Sequence, residues 1–406
     1  MNKLAKDATL SLSQLTKTQV FIHSLYIPWY VYTAIIASTS IVVGLLWDIS
    51  WHMSIGRDAF LSPPHIAIYL GGILAGFGGA YQMFKTTFWG SPDEKAKSVW
   101  FWGFRAPLGS LLFVWGALAM LTSAPFDDWW HNAYGLDVKI LSPPHAVLAL
   151  GILVVQFGAV ISLLAYQNQQ QLSADQADYL QMKKLHTIRF LYTYTVAMLI
   201  SIVAVLCTEY MEENLMHSSI YYQVACGAFP IFLIAVGRAS DMKWPVTSAA
   251  AVYMGIFLLM VWILPLFPAT PKLGPVLNKI THFVAFKFPI LLVVPAIFVD
   301  LVMKKTTRMN SWLACLLLSG VFFGVLLITQ WLFAYFYLSP YARNWFFAAD
   351  ALGYYARPDY PYRYAFRTWD SSTQALIQGL GIAFVLAFFS TRLGFWWGNW
   401  MKQVKR

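Results

Sequence analysis

The sequence predicts an all-α polytopic membrane protein of about ten transmembrane helices, with both termini cytoplasmic and a tandem hairpin repeat in the first four helices. Three observations predict it. Of 406 residues, 59% are hydrophobic, 17% aromatic and only 11% charged, more apolar surface than a water-soluble core of this size hides. Apolar runs long enough to span a bilayer recur at roughly 28–47, 64–86, 105–123, 143–166, 187–207, 219–236, 246–266, 284–303, 312–338 and 374–393. Finally, alternate connections differ in charge: the N-terminus, the connections at 85–105, 167–189, 238–243 and 304–308, and the C-terminus hold 19 of the 28 Lys and Arg. The positive-inside rule puts these on the cytoplasmic side. The net charge of +10 therefore reads as topology bias. It does not point to nucleic acid, because the basic residues stand in short clusters between apolar runs.

In chain order, residues 1–27 are a polar cytoplasmic segment with Lys3, Lys6 and Lys17, too weakly apolar for a cleaved signal. Residues 28–166 hold the repeat. Asp48-Ile-Ser-Trp51-His52 runs on to Gly56, Arg57, Asp58 and Leu61-Ser62-Pro63-Pro64-His65. Asp127-Asp-Trp-Trp130-His131 runs on to Gly135, Asp137 and Leu141-Ser142-Pro143-Pro144-His145. The match continues beyond: Gly71 and Gly151, Phe77 and Phe157, Gly78 and Gly158 lie at equal offsets from the last histidine. An internal repeat of this length is one supersecondary unit used twice. Here the unit is a two-helix hairpin, and the two copies run the same way across the membrane about a pseudo-two-fold axis along its normal. Residues 167–406 form a second membrane half of six helices with an outer loop at 340–372.

The repeat carries the chemistry. If the first helix continues past Trp47, Asp48 and His52 are four residues apart on one face. Ser62 suits an N-cap and Pro63 the first helical position, which places His65 in the first turn of the next helix. There the positive end of the helix dipole favours the neutral, ligating imidazole. Asp48, His52 and His65 converge at one hairpin mouth, and Asp127, His131 and His145 at the other, both on the outer side. Two imidazoles and a carboxylate without sulfur suit copper, with zinc or iron as weaker alternatives, because affinity for divalent ions peaks at copper. Asp58 and Asp137, each six residues after the first histidine, are candidates to orient a ligand imidazole. The competing reading is that these groups only hydrogen-bond one another and cap chain ends. Against it, ionisable groups at membrane depth are rare, because burial costs about 2.5–3.5 kcal/mol each even on lenient scales, and here six Asp and His positions recur in register.

The residues around Asp48, His52 and His65, spaced by four and thirteen, resemble the copper-binding motif of the C subunit of particulate methane and ammonia monooxygenases. The second copy is similar to that subunit's other copper motif, in which an Asn precedes two histidines. His131 and His145 keep its spacing of fourteen, and Asp127 stands where the family has the Asn. An added carboxylate strengthens cation binding and lowers the copper potential. The resemblance covers about residues 28–166. It implies a copper-dependent hydroxylase that activates O₂ beside a small substrate (methane, ammonia or a short alkane), with Asp48, His52 and His65 as catalytic ligands. It further implies a quinol or similar electron donor, other membrane subunits, a periplasmic cupredoxin-like partner and a bacterial inner membrane. An apolar pocket between the hairpins would suit the substrate.

Two other functions answer to the same residues: a non-catalytic copper carrier or metal-loading protein, and a haem or quinone redox protein. A carrier path wants soft Met or Cys at mid-depth, and no Cys or Met ladder stands in the helices. Axial haem ligation wants histidines in mid-membrane, and these cluster at helix ends. Three further groups stand out. Glu209, Glu213 and His217, spaced by four and four, would share a helical face as a third cation site, a proton path or an exposed acidic end. His282 opens the eighth helix as a capping or packing residue. Loop 340–372, rich in aromatics and Arg, reads as an ordered outer cap or a docking face.

Overall fold

The computed structural model describes residues 27–56, 59–134, 142–169 and 179–404. The helices run in chain order as α1 (Trp29–Ser54), α2 (Pro63–Phe84), a short α3 (Pro92–Ala96), α4 (Leu108–Tyr134), α5 (Pro143–Gln169), α6 (Tyr179–Cys207), α7 (Ser219–Ala239), α8 (Pro245–Ile263), α9 (Val293–Lys305), α10 (Ser311–Tyr337) and α11 (Thr373–Met401). A single antiparallel hairpin, β1 (Val99–Phe101) with β2 (Phe104–Ala106), joins α3 to α4. Among the described residues, nine helices are long and apolar enough to cross a membrane. The chain is an integral membrane protein of the all-α class.

The expected tenth helix over 284–303 does not form as such. Residues 283–291 are extended, and α9 has only 13 residues, about 20 Å of helix against a hydrocarbon core of about 30 Å. Pro289 removes a backbone donor and resists helix within the apolar run, and Lys287 stands beside it. Bare backbone is costly in a bilayer unless protein covers it, and here protein does: Phe283, Val284, Ala285 and Phe286 are buried. The N–H of Ile290 donates to the Tyr253 hydroxyl (3.3 Å) and that of Leu291 to Gln330 Oε1 (3.2 Å).

The extended piece and α9 still join the two ends of the bundle. At one end, Val284 exchanges hydrogen bonds with Ser50 and Ser54 of α1. At the other, Asp300 accepts from the N–H groups of Val246 and Thr247 at the start of α8, and the Lys304 ammonium lies 3.6 Å from the centre of the Trp244 ring.

In both hairpins the glycines at equal offsets do equal work. A Cβ on Gly71 would meet the Ala37 carbonyl at 2.7 Å, and one on Gly151 the Gly116 carbonyl at 2.9 Å. Helix backbones therefore touch at these points, the close approach by which small residues hold helices together where lipid removes the hydrophobic drive. Gly78 and Gly158 likewise face Thr33 and Gly109. The repeat seen in the sequence is thus a repeat of packing. It does not set 28–166 apart: one hydrophobic core runs from Val31 of α1 through α6 and α7 to Phe395 of α11.

The loop 340–372 is an ordered cap. Tyr354 donates its N–H to the Met53 carbonyl and accepts from Leu277 and Asn278, Arg367 donates its N–H to the Asn214 carbonyl, and Asp370 accepts from the N–H and hydroxyl of Ser219. These contacts mark the end of the bundle at which α1 terminates.

Replacing Gly151 by Leu should lower the stability of the purified protein by about 1–3 kcal/mol, the usual cost of overpacking, read as a drop in thermal midpoint. Gly255→Ala, where an added Cβ meets nothing within 4 Å, should leave it unchanged.

Candidate metal centres

Each hairpin mouth brings together the residues that the spacing predicts. α1 remains helical to Ser54, so Asp48 and His52 fall on one face, and the Asp48 carboxylate sits between two rings: Oδ2 is 3.7 Å from His52 Nε2 and Oδ1 is 3.3 Å from His65 Nε2. In the second copy Asp127 Oδ2 is 3.3 Å from His131 Nε2 and Oδ1 is 3.4 Å from His145 Nε2. Ligand atoms of Asp127, His131 and His145 all lie within 4.8 Å of one another. α2 packs antiparallel on α4 (Gly79 against Ser110, Gly72 against Met120), so both mouths open at the same end of the bundle.

His65 shows how a ring is set for ligation. Its Nδ1 lies 3.1 Å from the Ala59 carbonyl, which can only accept, so Nδ1 carries the proton. In the neutral ring, Nε2 then points a lone pair at a carboxylate oxygen. Two acceptors face each other at 3.3 Å, an arrangement relieved by a second proton on the ring or by a metal ion between them. A backbone carbonyl holding the far ring nitrogen is the usual support of a ligating histidine. In the second copy, buried Asp127 Oδ1 accepts no hydrogen bond from any described residue.

The donor separations suit an ion. Donors about 2 Å from a metal at tetrahedral angles stand about 3.3 Å apart, and the four carboxylate–imidazole distances are 3.3, 3.3, 3.4 and 3.7 Å. The copies differ in surroundings. The Asp48 side chain is 15% exposed against 28% for Asp127, and a drier carboxylate holds a cation more strongly. At the end of α1 beside the first site, Lys272 and Tyr354 donate their N–H groups to the carbonyls of Ile55 and Met53. Gly56, with φ of +85°, is so close that a Cβ there would overlap the Tyr354 hydroxyl at 2.1 Å.

Trp51 packs on Phe283, rings 6.0 Å apart, so it ties the hairpin to the second half of the chain. Ser62 and Ser142 stand just before the helices that carry His65 and His145. Ser62 occupies the N-cap position of α2 with no side-chain cap bond, and both hydroxyls are buried with no hydrogen-bond partner among the described residues. Asp58 and Asp137 lie outside the described residues.

The third group is not built as the spacing predicts. α6 ends at Cys207, and two 3₁₀ turns, Thr208–Tyr210 and Glu213–Leu215, replace the helix that would have aligned Glu209, Glu213 and His217. Glu213 pairs with Lys287 at 3.8 Å. His217 is stacked between Trp331 and Phe366, its Nε2 3.0 Å from the Trp331 carbonyl. His282 opens the extended segment, not a helix, in an isolated bridge with Pro268.

Sequence reasoning missed the support given by the Ala59 carbonyl, the Gly56–Tyr354 contact and the buried serine pair. The first two depend on backbone placement, and only the doubled Leu-Ser-Pro-Pro-His signalled the third. The larger of two described cavities, about 350 Å³, lies under the cap, lined by Val261, Pro265, Phe283, Trp345 and Leu352 with Asn278 and Asp350.

Comparison with family models, with curated proteins and with solved structures finds no match to this chain.

Burial between the two rings pushes the pKa of His217 below its ordinary 6.5, partly opposed by the Trp331 carbonyl. The unfolded chain therefore takes up this proton at higher pH than the folded one does. The group's contribution to stability is complete above pH 6.5 and is lost as pH falls through 6.5 toward the lower folded value. His217→Phe should flatten the fall in thermal midpoint between pH 7 and 5 relative to the unaltered protein.

Proposed function

We propose that this chain is a copper-binding membrane subunit of a monooxygenase-like complex, with one copper at Asp48, His52 and His65 and a second at Asp127, His131 and His145. One observation carries the reading: in both copies a carboxylate stands 3.3–3.7 Å from two imidazole nitrogens, the separation of donors that share one ion. Two nitrogens, an oxygen donor and no sulfur favour copper over zinc or iron. The bilayer is the environment of the nine spans. Bacterial inner membrane, periplasmic metal sites, a cupredoxin-like partner and a quinol donor follow from the resemblance of the motifs.

Bound copper would supply the activation of O₂. The chain's own part is to fix the donors: the Ala59 carbonyl turns His65 Nε2 inward, and helix α1 holds Asp48 and His52 in step. The less exposed carboxylate of the first copy, with the resemblance of its motif, supports Asp48, His52 and His65 as the catalytic set. Phe283 lines the 350 Å³ hollow and also packs on Trp51, next to His52. The hollow therefore offers an apolar space beside the first site for a small substrate. A carrier or haem protein would use the same histidines, but both sets sit at helix ends, away from the mid-depth a relay or axial ligation requires.

Copper content of the purified protein should fall by about half in Asp48→Ala and to background when Asp127→Ala is added. O₂-dependent oxidation of a short alkane or ammonia by cells carrying the protein should disappear in His52→Ala. Copper unchanged in the double variant rejects the sites. Copper accumulation without product identifies a carrier, and a Soret band a haem protein.

A further inference from the structure

At both ends of the bundle basic side chains meet carboxylates; away from the cap, Lys97 pairs with Asp93 at 2.6 Å and Lys85 with Glu94 at 3.8 Å. At the capped end, basic side chains meet carboxylates: Arg357 with Asp359 at 2.7 Å, Arg367 with Glu212 at 3.7 Å and Lys287 with Glu213 at 3.8 Å. At the opposite end, Arg238 and Arg392 make no ion pair within 4.0 Å among the described residues, and aromatic rings hold them instead. The Arg238 guanidinium lies 4.2 Å from the Phe395 ring centre and donates to Asn399 Oδ1 from Nε (3.1 Å) and Nη2 (2.8 Å). That of Arg392 lies 4.4 Å from the Trp312 ring centre. The buried Cys315 thiol lies near both guanidiniums.

These residues come together where three helices pack. Arg392, Phe395 and Asn399 follow at steps of three and four along one face of α11. Arg238 comes from the last turn of α7, and Trp312 and Cys315 from the first turns of α10. Both guanidiniums are half-buried. An arginine keeps its charge at any working pH, and unneutralised charge at the edge of a bilayer is costly. Asn399 takes two of the five N–H donors of Arg238, and the rest stay available. Cation–π contact orients a guanidinium without neutralising it. Near them in sequence on α10 and α11, Leu316, Leu393 and Trp396 are exposed.

We propose that this cluster of side chains from α7, α10 and α11 binds the phosphate of an anionic phospholipid, with Arg238 and Arg392 as its donors and the flanking apolar side chains against the acyl chains. Basic pockets between helices on the cytoplasmic side suit such headgroups. The apolar flank favours a lipid over free phosphate.

The test uses the full chain in neutral detergent, melted with added phosphatidylglycerol, phosphatidylcholine or inorganic phosphate. Phosphatidylglycerol should raise the thermal midpoint, and the other two should not. Arg238→Gln with Arg392→Gln should abolish that shift, whereas Arg357→Gln at the capped end should keep it. Native mass spectrometry of the unaltered protein needs no variant and should show phosphatidylglycerol retained over phosphatidylcholine. Equal effects of the two lipids, a shift that survives in the double variant, or no preferential retention overturns the proposal. An equal shift with inorganic phosphate overturns the lipid assignment.

Discussion

A carboxylate held between two imidazoles, twice, is the interaction to which the rest of this structure is subordinate. It requires that two helices of a hairpin meet at a fixed height and rotation, because Asp48 and His52 belong to α1 and His65 to α2. Gly71 and Gly151 fix that height by letting backbones touch, and any Cβ there would meet a neighbouring carbonyl. The metal-ligand geometry and the glycine register are therefore two readings of one repeated packing unit. That is why they recur at the same offsets.

The membrane imposes the second constraint, that no polar group stays bare. Where α9 is too short to span, Tyr253 and Gln330 take up the exposed backbone N–H groups, and Asp300 caps the start of α8 from within the bundle. Charge obeys the same rule. Carboxylates answer Arg357, Arg367 and Lys287 at the capped end and Lys85 and Lys97 at the other, where rings hold Arg238 and Arg392. The cap bonds to the end of α1 beside the first hairpin mouth, and the two sites, alike in ligands, differ in the exposure of each ligand.

The sequence made the repeat, the ligand sets and nine of the crossings legible, because each rests on local spacing: i and i+4 on a helix, Pro at a helix start, runs of about twenty apolar residues. It did not disclose the broken span. Residues 284–303 are apolar enough for a helix, and the signals against one unbroken span are Lys287, Pro289, Pro295 and Asp300 within the run. Glu209, Glu213 and His217 failed for a related reason: their spacing has meaning only on a helix, and no Gly or Pro after Cys207 announces that α6 stops. What Glu213 and His217 meet instead, Lys287 and the Trp331–Phe366 stack, comes from segments more than 70 residues away and has no local trace.

X-ray absorption at the copper edge of the metal-loaded protein tests the central claim most directly. The account predicts a first shell of nitrogen and oxygen alone, with outer-shell scattering from imidazole rings at both sites. Sulfur in the first shell, or the spectrum of hydrated copper without imidazole, would contradict it.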